Sequence, residues 1–96
     1  MTKDEFRRYL VERGYTNTLT DAGEIIDIMT AALTEAMVNG EDVCIKGFGT
    51  FTRTLRAPKE VLQQNGERVL VPEHYSPRFK PGKVLTQQVR EGFIRQ

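Results

Sequence analysis

The sequence has one cysteine, Cys44, and one histidine, His74. A lone cysteine excludes an internal disulfide, and a lone histidine with no second ligand at metal spacing excludes a zinc site of the usual kinds. No serine sits in a nucleophile elbow. Gly47-Phe48-Gly49 lacks both a spaced third glycine and the Gly-Lys-Ser/Thr helix start that would cradle a nucleotide phosphate. No apolar run approaches the roughly 18 residues that a membrane span requires, and the N-terminus opens a polar helix rather than an apolar leader. These absences lead us to expect a protein that is not an enzyme, carries no cofactor or metal and has no membrane partner. The expected setting is the reducing cytoplasm, where Cys44, between Val43 and Ile45, would be a small buried hydrophobe.

What is present is an uneven distribution of charge. The formal net charge is only +1, but residues 1–45 hold four basic and nine acidic side chains, whereas residues 46–96 hold ten basic and four acidic. A net −5 half and a net +6 half give a molecule with one face suited to phosphate and another that stays solvated.

Two helix starts are marked by capping patterns, Thr2 to Glu5 and Thr18 to Asp21. The first predicts a helix from about Lys3 to Arg13, with Phe6 and Leu10 buried and Gly14 as its stop. The second predicts a longer helix ending at Asn39-Gly40, with Ala22, Ile25, Ile26, Met29, Ala32, Leu33, Ala36 and Met37 on one wide stripe. That stripe suits an internal core or a helix shared between two copies. From Val43 the period changes to two, and glycines at 47 and 49 turn the chain and drive Phe48 inward. Phe48, Phe51 and Phe79 are expected core aromatics. Asn65-Gly66 predicts a type I′ hairpin turn in the middle of a polar stretch from Thr52 to Tyr75. At about 3.3 Å per residue, ten residues per strand would reach roughly 33 Å. Pro58 and Pro72 suit exposed edges, and Pro81 a helix start. A final helix from Lys83 to about Arg95 carries Leu85, Val89 and Phe93. The whole is a single domain, 1–96, with an arm at about 55–75. That leaves 75 residues for a body too small to be stable comfortably alone.

Gly47-Phe48-Gly49-Thr50-Phe51 and Tyr75-Ser76-Pro77-Arg78-Phe79-Lys80-Pro81-Gly82-Lys83 bracket the arm. In this the chain resembles the histone-like HU and integration-host-factor family of bacterial DNA-bending dimers. The resemblance covers nearly the whole chain, and the Phe-Lys-Pro-Gly-Lys form is closer to integration-host-factor subunits and phage-type members. It implies an α+β, HU-like intertwined dimer with a helical base, a three-stranded antiparallel sheet, a protruding β-hairpin arm and a C-terminal helix. It also favours the long helix as the dimerisation element, with a homodimer expected and a heterodimer with a paralogue as the alternative.

On the family pattern, Lys46, Arg53, Arg56, Lys59, Arg68, Arg78, Lys80 and Lys83 line the saddle and inner arm faces that meet DNA. Lys3 and Lys83 sit at helix N-termini, where free amides favour an anion. The sequence departs from the family at the arm tip. In place of the usual Arg-Asn-Pro, whose proline wedges between base pairs, it reads Pro58-Lys59-Glu60-Val61-Leu62-Gln63-Gln64-Asn65. The wedge position falls on Gln63 or Gln64, and Leu62 is an apolar candidate nearby, either as a wedge or packed against Val69 or Leu70. The expected function is architectural binding and bending of double-stranded DNA, largely without sequence specificity, in a nucleoid or phage genome. The alternatives are a sequence-preferring, integration-host-factor-like subunit and a structural protein that has the fold without DNA binding.

Overall fold

The computed structural model of the chain describes the backbone of residues 1–95 and the side chains of residues 1–92. The elements run α1 (Lys3–Glu12), α2 (Leu19–Val38), β1 (Val43–Ile45), β2 (Gly49–Arg56), β3 (Lys59–Leu62), β4 (Arg68–Val71), β5 (His74–Pro81) and α3 (Lys83–Arg95), an α+β order. The chain divides into two compact units, Met1–Glu35 and Ala36–Gln96.

In the first unit, the Thr2 hydroxyl accepts from the Glu5 amide and donates to the Glu5 carboxylate, both at 3.2 Å, which fixes the start of α1. Gly14, at φ +80°, ends it: the Gly14 and Tyr15 amides bond the Val11 and Leu10 carbonyls at 3.0 and 2.9 Å. Thr18 caps α2 by accepting from the Asp21 amide at 3.0 Å. Arg7 reaches from α1 to the Leu19 carbonyl at 3.2 Å, over Gly23, whose missing side chain leaves room for the guanidinium. Ala22 is the one apolar side chain fully buried among the described residues. Phe6, expected in a buried stripe, is 41% exposed, and Ile25, Met29 and Ile28 are 53%, 51% and 70% exposed. The stripe predicted for the long helix exists, but a single chain does not cover it.

In the second unit, Gly40 at φ +77° closes α2 in the same way as Gly14 closes α1, through the Gly40 and Glu41 amides. A three-stranded antiparallel sheet follows, in the order β1-β2-β5. Pairings Val43↔Phe51, Ile45↔Gly49, Phe51↔Phe79, Arg53↔Pro77 and Leu55↔Tyr75 put these residues on one face. Alternation places Cys44 on the other face, with Thr50, and it is exposed in the chain rather than buried as expected. Phe48, Phe51 and Phe79 do cluster, with ring centroids 4.7 to 6.2 Å apart, but Phe48 and Phe79 remain 42% and 37% exposed in the single chain.

The two glycines of the β1–β2 turn serve different ends. Gly47 takes φ +83°, whereas a Cβ on Gly49 would lie 2.6 Å from the Lys80 carbonyl oxygen and 2.6 Å from the Phe79 ring. Pro81 does not begin a helix as expected: it closes β5 opposite Gly49, and Gly82 precedes α3, its carbonyl accepting from the Thr86 amide at 3.0 Å. In α3, Leu85 is half-buried and Val89 is 65% exposed. The side chain of Phe93 lies outside the described residues.

Candidate nucleic-acid interface

The hairpin that rises from the sheet is two ladders in series. β2 and β5 pair continuously from Gly49↔Pro81 to Arg56↔His74, and β3 and β4 form a separate two-stranded sheet from Lys59↔Val71 to Leu62↔Arg68. Ala57-Pro58 and Pro72-Glu73 fill the gap between them. Proline has no amide to donate, and two prolines facing each other across a hairpin stop a ladder. The tip differs from the expected type I′ turn. The Gly66 amide bonds the Gln63 carbonyl at 3.0 Å, so Gln64 and Asn65 are the central residues, and Gly66 at φ +87° is the only tip residue in the left-handed region. Type I′ needs positive φ at both central positions; a three-residue loop ending in a left-handed glycine needs it only at Gly66. The Asn65 side chain accepts from the Glu67 amide at 3.0 Å and fixes this form.

Alternation along β2 and β5 sorts the sequence-predicted basic residues. Thr50↔Lys80, Thr52↔Arg78, Thr54↔Ser76 and Arg56↔His74 share the face opposite the aromatic cluster. Lys80, Arg78 and Arg56 thus lie along one polar face spanning about 20 Å, at about 3.3 Å per residue. Lys46 is exposed in the β1–β2 turn, and Lys83 is the first residue of α3. The Gly82 amide donates to the Phe48 carbonyl at 2.9 Å, which holds these two lysines at the same end of the sheet as Lys80. The face is not purely basic, since the Thr52 hydroxyl donates to the Asp42 carboxylate at 2.5 Å.

Arg53 does not join this group. Its register puts it on the aromatic face, where the guanidinium lies 3.9 Å from the centre of the Tyr75 ring and donates to the Val38 carbonyl, at the C-terminus of α2, at 3.4 Å. Lys3, in the other unit, is the first residue of α1, and its ammonium is paired with Asp27 at 2.5 Å. On the distal ladder, Lys59 is exposed and Arg68 pairs with Glu60 at 3.6 Å. Leu62 lies opposite Arg68 and is 67% exposed; Val69 is on the other face of the ladder and Leu70, on the same face, is itself 65% exposed. Leu62 is thus left largely uncovered by the hairpin of a single chain. Ser76 was missed as a member of the polar face, and His74, which the sequence offers as a surface or arm-base polar residue, joins it. Strict alternation back from Lys80 and Arg78 would have found them.

Among the described residues no group of three or more histidine, cysteine or acidic side chains could hold a metal, and no helix is long and apolar enough to cross a membrane.

A helical unit followed by a three-stranded sheet with a long hairpin is the HU-like architecture. An HU–DNA cocrystal structure from Anabaena matches with a TM-score of 0.78 and 26% identity, covering 93% of this chain and 97% of that one. HU from Thermotoga maritima matches with a TM-score of 0.63 and 29% identity, covering 93% and 98%. Among curated proteins, integration host factor subunit beta of Paraburkholderia phytofirmans and that of Paraburkholderia xenovorans are each 43% identical over 91 residues, 93% of this chain and 84% of theirs. The family model described as bacterial DNA-binding protein matches residues 1–90, so it spans both units. The chain belongs to this bacterial DNA-binding family, that of HU and integration host factor.

Proposed function

We propose that the chain is an architectural DNA-binding subunit, acting as a dimer and forming one DNA-binding domain over residues 1–96. The polar face of its sheet is the phosphate-contacting surface, made by Arg56, Arg78 and Lys80 and flanked by Lys46 and Lys83. The observation that carries this is the register of β2 and β5. It gathers three cations with threonines and a serine on one side and the phenylalanines on the other. Hydroxyls, guanidinium groups and ammonium groups bind phosphate oxygens without reading base edges, so the surface supports affinity with little sequence information. The distal ladder adds Lys59 and Arg68 as secondary contacts and Leu62 as an exposed wedge for a base step. Lys3 contributes on giving up its ion pair with Asp27. A place on the nucleoid follows from this activity.

The dimer is supported by the exposed Ile25, Ile28 and Met29 of α2, since a domain this small needs a further apolar surface to bury them. The likeness to integration host factor subunits beta favours a second reading, in which a paralogue rather than a second copy completes the pair. Titration of a fluorescent duplex with the purified chain at about 50 and about 200 mM salt tests the proposal. A fall in affinity of 10³-fold or more is expected if six or more phosphates are bound (about 0.9 in log–log slope for each). Salt-independent affinity, or no binding at the lower salt, would favour a structural protein that keeps the fold alone.

A further inference from the structure

The joint between the two ladders holds a cleft lined by Arg56, Ala57, Pro58, Lys59, His74 and Ser76. Two permanent cations, a hydroxyl and the chain's one imidazole line it, and no carboxylate does. Glu73 precedes His74 in sequence and Glu60 follows Lys59, but Glu60 is paired with Arg68 and neither acid lines the cleft. The other charges on the His74 side of β5 are Arg78 and Lys80.

The His74 ring makes one hydrogen-bond contact among the described residues. Its Nδ1 lies 2.9 Å from the Pro72 carbonyl oxygen, just beyond the last pair of the long ladder. A carbonyl oxygen only accepts, so Nδ1 carries the hydrogen, and in the neutral ring Nε2 is left as an acceptor. A phosphodiester oxygen is also only an acceptor. While Nδ1–H is given to Pro72, the neutral ring has no donor at Nε2 for it, whereas a ring that takes up a second proton becomes a donor at Nε2 and a cation together.

We propose that this cleft binds a backbone phosphate of DNA, and that protonation of His74 switches its contribution on. The inference rests on the DNA-binding function proposed above. Binding at the cleft takes up one proton per chain, and duplex affinity rises as the pH falls. Arg56 and Lys59 supply the constant attraction and His74 the variable part, at the break between the two ladders.

The test is fluorescence anisotropy of a labelled duplex at constant ionic strength, from about pH 8 to about pH 5.5, the interval in which histidine gains its charge. The wild-type chain should bind roughly tenfold tighter per cleft at the acid end. His74→Gln should be flat across the range, and His74→Lys should be flat and as tight at pH 8 as the wild type is at the acid end. Nitrogen chemical shifts of the imidazole at the alkaline end should show the hydrogen on Nδ1. Salt-sensitive binding with no pH dependence, or a pH dependence that persists in His74→Gln, would overturn the switch and leave the DNA-binding function standing. No duplex binding at either pH would overturn both.

Discussion

The guanidinium of Arg53 lies 3.9 Å from the centre of the Tyr75 ring, on the face of the sheet opposite Arg56, Arg78 and Lys80. One end of this contact is in β2 and the other in β5, and the same guanidinium donates to the carbonyl of Val38, the last residue of α2. An arginine at a helix C-terminus meets the negative end of the helix dipole, and over an aromatic face it meets the ring's negative quadrupole. Arg53 is thus a brace between the base of the arm and the end of the long helix.

Replacing Arg53 with alanine removes the stacking and the carbonyl hydrogen bond together. A destabilisation of roughly 1 kcal/mol is expected, the magnitude of a partly exposed cation–π interaction. Chemical denaturation of the dimer checks this; an unchanged midpoint would show that the brace contributes nothing.

Gly49→Ala is expected to cost more, about 1–3 kcal/mol, the usual range for an overpacked site. The added methyl would meet the Lys80 carbonyl oxygen and the Phe79 ring at 2.6 Å, and the backbone oxygen has no room to give. Thermal unfolding reads it, with Gly47→Ala as the comparison in which the cause is backbone conformation at φ +83° rather than steric overlap.

Sedimentation equilibrium at micromolar concentration should give twice the 11.0 kDa chain mass. Ile28, 70% exposed on α2 in the single chain, tests the surface: Ile28→Glu should shift the protein to monomer or abolish folding. A folded wild-type monomer would contradict the shared core.

Bending depends on the tip. With no proline there, unstacking a base step falls to Leu62, or is avoided by choosing DNA that is already flexible. Energy transfer between the ends of a short duplex should show weaker bending than a proline-bearing relative gives, a preference for nicked or junction DNA, and a further decrease in Leu62→Ala. Strong bending that survives Leu62→Ala would refute the wedge.

The helices were legible because their ends are written in local chemistry: Thr2, Thr18, Gly14 and Gly40 act within one turn of themselves. The break in the arm was marked by Pro58 and Pro72, one on each strand, although only the structure shows that they face each other across one gap. The side a basic residue faces was not legible from charge alone. Arg53 and Arg56 are three residues apart in one strand, so they point to opposite faces, and only the pairing of β2 with β5 says which face carries the cations. Burial was over-read at Cys44 because alternation puts it on the polar face with Thr50, whereas Phe48 and Phe79 stay partly exposed because an apolar pattern states what is to be covered, not which chain covers it. The Asn65-Gly66 pair gave the place of the turn, while the Asn65 side-chain bond to the Glu67 amide selects its form.

The two faces of the sheet can be told apart by the salt dependence of duplex affinity in two variants. Arg78→Ala should lower the magnitude of the log–log slope by roughly 2, about 0.9 for the one phosphate that each of two subunits no longer neutralises. Arg53→Ala, measured where it is fully folded, should leave the slope unchanged. The reverse result, with the slope falling for Arg53→Ala and holding for Arg78→Ala, would contradict the assignment of the polar face as the DNA-binding surface.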